Sequence, residues 1–189
     1  MKLLTAVLAL CLYCPAVLAV SEAEFQSLAG KCAPDVSFDT LQAIVQTESG
    51  FNEFAIGVVG GAVRQPESKA DAEMAIKALD AAGVNYSVGL GQINRSNFAA
   101  LGLTASDALE PCRNLRAAQT VLKLCHRKYK NLASTISCYF SGNDIIGFRE
   151  GYVESVLSNA EKHIVPRMQE PREPEIAAAG NESVPGFIF

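Results

Sequence analysis

The chain has no tryptophan, two histidines and, past its first 19 residues, no apolar run long enough to span a bilayer. The missing tryptophan carries no weight alone. His126 and His163 stand isolated on helical segments and are assigned no role. A basic cluster is also missing: 16 Lys and Arg face 20 Asp and Glu, for a formal net charge of -4. Without a stripe of cations to track a phosphate backbone, nucleic acid is excluded as a partner. No internal repeat is present. Among the four cysteines beyond residue 19 there is no C-x-x-C pair, so zinc is disfavoured and no metal or cofactor is expected.

What is present begins with MKLLTAVLALCLYCPAVLA, residues 1 to 19. It has one cation, a short apolar run and small residues at Val17 and Ala19, and it reads as a secretory signal. The remaining roughly 170 residues suffice for one compact domain. The expected organisation is a signal over 1 to 19, one exported domain over 20 to 165, and a Pro, Glu and Ala-rich disordered tail over 166 to 189, with Pro166 stopping the last helix.

Cys11 and Cys14 leave with the signal. Cys32, Cys112, Cys125 and Cys138 remain, an even number in an exported protein, which favours disulfides. The run CRNLRAAQTVLKLCHRKY carries a helical stripe of Leu115, Ala118, Leu122, Cys125 and Tyr129. A continuous helix there separates Cys112 from Cys125 by about 20 Å, too far to bond. A turn near Asn131 folds LASTISCYF back and brings Cys138 level with Cys125. The preferred pairs are therefore Cys125 with Cys138, and Cys32 with Cys112.

SEAEFQSLAGKCA reads as a first helix ended by Pro34. SFDTLQAIVQTESG reads as a second, started by Ser37 or Asp39 and closed by Gly50 in the left-handed conformation. FAIGVVGGAV is β-branched and glycine-punctuated, SKADAEMAIKALDAAG is helical with Ser68 as cap and Gly83 as terminator, and VNYSVGLGQIN is extended. Residues 55 to 93 thus form a strand, helix, strand insertion in a chain that is helical from Arg95 onward. The fold class is mainly α, with a small β element.

Three clusters carry candidate chemistry. In IVQTESGFN, Glu48 falls in the middle of the stripe made by Leu41, Ile44 and Val45, at about 100° per residue. Burial and the negative end of the helix dipole both raise a carboxyl pKa there, as a general acid near neutral pH requires; the plainer reading is a frayed, solvated helix end. In YSVGLGQIN, Gly89 and Gly91 let backbone approach a flat ligand, and Gln92 and Asn94 offer amides to sugar hydroxyls; a tight turn with a helix cap explains the same residues. In SCYFSGN, Tyr139 could steady a carboxyl or a substrate oxygen, or simply pack.

In this order, ESGFN, GLGQIN and a Tyr-x-Ser-Gly turn resemble the soluble lytic transglycosylases, which have a lysozyme-like fold. More narrowly, AIGVVGG, NYSVGLGQIN, EPCRNL, SCYFSGN and GFREGYV resemble the exported transglycosylase subunit of bacterial type IV secretion and conjugation systems. The resemblance covers roughly residues 25 to 157. It implies Glu48 as the catalytic acid and base, followed by Ser49 as the pattern expects. It further implies a glycan cleft lined by Gly89, Leu90, Gly91, Gln92 and Asn94, and Tyr139 near the catalytic carboxyl. The chain departs where broader transglycosylases usually have Asn after that tyrosine: Phe140 stands here, with Asn143 as a weak substitute.

The implied function is cleavage of the bond between N-acetylmuramic acid and N-acetylglucosamine in periplasmic peptidoglycan, leaving a 1,6-anhydro end. The implied partners are glycan strands and proteins of a secretion apparatus. Competing readings are a muramidase that adds water, for which Asp107, Glu110 and Asp144 are available as a second carboxylate, and a non-catalytic assembly adapter.

Overall fold

The computed structural model describes residues 19–169. The expected signal, apart from Ala19, and residues 170–189 of the expected tail lie outside the described residues. Helix α1 spans Glu22–Cys32 and starts where Ser21 accepts the Glu24 N–H at 3.3 Å. Helix α2 spans Phe38–Ser49, capped by Ser37 at one end and closed at the other by Gly50 at φ 56°, as the sequence predicts. Its Leu41, Ala43, Ile44 and Val45 are fully buried. They make α2 the centre of the core, packed along α9 (Tyr152–Gln169) and against α1.

The insertion forms β1 (Ile56–Val58), α3 (Lys69–Ala81), β2 (Tyr86–Val88) and β3 (Ile93–Asn94), an antiparallel sheet in the order β1-β2-β3. Ser68 caps α3 by accepting the Asp71 N–H. The outer edge of β1 is covered by a side chain: Gln65 accepts the Ile56 N–H at 3.0 Å and donates to the Ile56 carbonyl at 2.9 Å. An edge satisfied in this way offers less to a pairing strand.

The helical remainder is more broken than its sequence suggests. A 3-10 turn at Arg95–Asn97 leads into α4 (Phe98–Leu101), which Gly102 ends at φ 65°. Next comes α5 (Ala105–Ala108), fixed by a reciprocal capping box between Thr104 and Asp107. Helix α6 (Pro111–Tyr129) begins with proline in its first turn, where no N–H is needed. Lys130, at φ 62°, and Asn131, which caps α7 (Leu132–Ser141), turn the chain into the expected hairpin.

The cysteines pair as the helix lengths require, Cys125 with Cys138 and Cys32 with Cys112, at Cα separations of 5.7 and 5.3 Å. Helix α8 (Ile146–Arg149) is separated from α9 by Gly151 at φ 72°. Helix α9 does not stop at Pro166 and runs on to Gln169. Proline costs a helix one N–H and a steric clash, but its fixed φ is helical, so a helix can continue through it. Among the described residues, no helix is long and apolar enough to cross a membrane.

Candidate active site

A groove of about 680 Å³ opens between the sheet and the α6/α7 hairpin, with Glu48 in its lining. Helix α2 delivers the glutamate. The last turn of a buried helix has one direction for a side chain that follows Ile44 by four residues, and that direction is inward. Glu48 is half-buried, and Oε1 accepts the Tyr152 hydroxyl at 2.5 Å. Burial pushes the carboxyl up to about 7, while the Tyr152 hydrogen bond acts the other way by favouring the carboxylate. The group therefore exchanges its proton near neutral pH, where a single side chain can serve first as acid and later as base.

Tyr152 is the residue that sequence reasoning missed. It opens α9, 104 positions from Glu48, and no local periodicity marks it. One residue earlier on α2, Thr47 accepts from Asn159 at 2.9 Å, so α9 holds the end of α2 at two neighbouring positions. Tyr152 is 8% exposed, and its ring stacks on Phe140 with centroids 4.6 Å apart and planes 18° from parallel. Burial and the Glu48 charge hold the Tyr152 hydroxyl well above the ordinary phenol range, so it acts only as a donor.

Tyr139 lines the same groove but has another partner. Its hydroxyl donates to the Gly91 carbonyl at 2.6 Å. The Gly91 N–H, on the other side, is accepted by Asn114 Oδ1 at 2.7 Å. Asn114 is fully buried and spends its amide hydrogens on the Val88 and Ala108 carbonyls at 2.9 and 2.7 Å. The Gly-Leu-Gly turn is thus fastened from α6 and α7 at once. Glycine is required at both flanks: a Cβ at Gly91 would meet the Tyr139 oxygen at 2.9 Å, and Gly89 sits at φ 77° with the Asn114 amide 2.3 Å from where its Cβ would be.

Of the residues expected along a glycan cleft, Gln92 and Asn94 line the groove. The Gln92 amide donates to the Ala55 and Gly89 carbonyls at 3.0 and 3.1 Å, and its oxygen lies against Gly57, 2.6 Å from where a Cβ there would be. Asn94 donates to Ser87 at 3.1 Å and caps the 3-10 turn through Ser96. Gly89, Leu90 and Gly91 are buried beneath the groove; Leu90, at 0% exposure, supports the turn and presents no surface to a sugar. The Ser49 hydroxyl donates back to the Val45 carbonyl at 3.2 Å and is not among the lining residues. Asn143 is spent locally, accepting the Ile145 and Ile146 N–H groups at 3.0 and 2.9 Å.

Among the described residues, Glu48 is the one carboxylate in the groove lining. Asp107 is occupied by the α5 capping box and by Arg113 at 2.8 Å, and Glu110 pairs with Lys69. Asp144 does not line the groove either. The arrangement can protonate a leaving oxygen and take a proton back, in a groove whose sheet side sets the amides of Gln92 and Asn94 among Val58 and Ile93 and whose hairpin side brings Leu124 and Phe140.

The profile of the transglycosylase SLT domain matches residues 27–161. The chain is 39% identical over 173 residues to the type IV secretion system protein virB1 of Brucella abortus, covering 82% of this chain and 73% of that protein. It is 37% identical over 181 residues to protein virB1 of Rhizobium radiobacter, covering 90% and 75%. A virB1 protein of Agrobacterium fabrum is 34% identical over 162 residues, covering 82% and 66%. No solved structure matches the chain significantly. With a mainly α, lysozyme-like domain built around one groove glutamate, and a profile that spans most of its length, the chain belongs to the transglycosylase SLT family and is a lytic transglycosylase.

Proposed function

We propose that the protein cleaves the β-1,4 bond between N-acetylmuramic acid and N-acetylglucosamine in periplasmic peptidoglycan and opens the wall locally for a type IV secretion or conjugation apparatus. The observation that carries the chemistry is that Glu48 is the single carboxylate lining the groove among the described residues. Protonated Glu48 gives its proton to the glycosidic oxygen as the C1–O bond breaks. The muramyl C6 oxygen then closes on C1, and its proton passes to the Glu48 carboxylate, which regenerates the acid. No water enters, and the product carries a 1,6-anhydro ring.

Each group around Glu48 has a part in this cycle. With Tyr152 donating to Oε1, Oε2 is left to carry and receive the proton. The same hydroxyl stabilises the carboxylate that exists between the two transfers. Gln92 and Asn94 orient the glycan by hydrogen bonds on the sheet side. A muramidase would need a second carboxylate to activate water or to act as nucleophile, and none of the described lining residues supplies one.

The apparatus role rests on the virB1 relatives, one of which is named as a type IV secretion system protein. Digestion of purified sacculi with the chain from Val20 onward and with its Glu48→Gln variant tests both chemistry and residue. Anhydromuramyl ends from the wild type alone are expected. Reducing ends would mean a hydrolase, and no release from either protein, together with Glu48→Gln restoring secretion in a deletion strain, would mean an adapter.

A further inference from the structure

Both sides of the groove mix polar and apolar lining: the sheet and the 3-10 turn bring Ser87, Asn94 and Ser96 together with Val58 and Ile93, and α6 and α7 bring Val121, Leu124 and Phe140 together with Ser141. The hairpin side exposes two large apolar side chains: Leu124 is 50% exposed and Phe140 is 46% exposed. A ring so accessible costs solubility and gains no core packing on its open side, unless a ligand covers it. One face of Phe140 is already taken by Tyr152, stacked at 4.6 Å and 18°. The accessible area is therefore the opposite face and the rim, and the residue lines the groove that holds Glu48.

Pyranose rings have an apolar face of C–H bonds, and those hydrogens carry the partial positive charge that the negative face of an aromatic ring attracts. We infer that Phe140 is a stacking platform for one sugar ring of the glycan, held flat by Tyr152. The inference deepens the glycan reading above and rests on it. Because the platform leans on the tyrosine that holds Glu48, a bound sugar ring is registered against the acid through only two stacked rings. Phe140 is thus a substrate-positioning residue that sets which stretch of glycan lies at Oε2.

The test uses soluble strands of alternating N-acetylglucosamine and N-acetylmuramic acid, titrated by calorimetry against the catalytically silent Glu48→Gln protein. Adding Phe140→Leu, which keeps an apolar contact with Tyr152 but loses the flat face, is expected to weaken binding on the order of tenfold. Phe140→Tyr should restore it to within about twofold. In the Glu48-containing enzyme, Phe140→Leu should raise KM while leaving the alkaline limb of the pH profile in place. Equal affinity for the Phe and Leu forms overturns the platform. So does a Leu variant whose alkaline limb shifts, because the ring would then act through Tyr152 on the acid. If the Glu48→Gln protein with Phe140 intact binds no glycan, the substrate reading itself fails.

Discussion

Tyr152 donates its hydroxyl hydrogen to Glu48 at 2.5 Å, and this bond opposes the burial that holds the carboxyl protonated. The two effects set the working proton affinity of the site together. Without the tyrosine, burial acts alone.

Tyr152→Phe should therefore raise the Glu48 pKa above its present value of about 7 and move the alkaline limb of the pH–rate profile to higher pH. The rate at the optimum should fall on the order of tenfold to a hundredfold, because the intermediate carboxylate loses a charge-assisted bond. A pH–rate profile of purified variant and wild type on solubilised glycan reads both. An unmoved limb would mean that the bond does not tune the acid.

Glu48 also makes stability depend on pH. Its folded pKa of about 7 lies above the ordinary value of 4.5, so between those values the folded state binds more protons than the unfolded chain. Its contribution is full below pH 4.5 and is lost as pH rises through 7, a difference of up to about 3 kcal/mol. Glu48→Gln mimics the protonated acid and removes this dependence. Urea midpoints at pH 5 and pH 8 should show the variant gaining on the wild type as pH rises; parallel changes would contradict the buried acid.

Asn114 holds three backbone groups of the turn region, the Gly91 N–H and the Val88 and Ala108 carbonyls. Asn114→Ala strands all three in a buried site and should cost on the order of 3 kcal/mol. Asn114→Asp keeps the acceptor for Gly91 but loses both donors, so it should also destabilise. Thermal unfolding of both variants checks this, and a variant as stable as wild type would show that water replaces the amide.

The two disulfides should differ in value. Cys32–Cys112 closes a separation of 80 residues and Cys125–Cys138 one of 13. On the chain-entropy estimate, removing the first costs about 4.5 kcal/mol and the second about 3 kcal/mol. Paired Cys→Ser variants in urea give the comparison, with equal losses as the contrary result.

The sequence made α2 and the disulfides legible because both follow from local rules. Ser37 and Gly50 are cap residues at fixed offsets, and the length of α6 forbids a Cys112–Cys125 bond by distance alone. The strands of the insertion show in β-branched runs broken by glycine. The helical breaks at Gly102 and Gly151 were less visible, since an isolated glycine can sit within a helix as well as end one. Tyr152 and Asn114 could not be read locally. Tyr152 acts through one contact 104 residues away and Asn114 through three, two of them more than 20 residues away, and such contacts leave no period in the sequence. Gly89, Leu90 and Gly91 form a turn that the paired glycines mark in the sequence, but only packing reveals that they are buried.

The most direct test of the account is the titration of the Glu48 side-chain carboxyl carbon by NMR, assigned by its loss in Glu48→Gln. The account predicts a midpoint near 7 that rises in Tyr152→Phe. A midpoint near 4.5 in the wild type would contradict it, since the glutamate would then be ionised before any glycan arrived and could not act first as an acid.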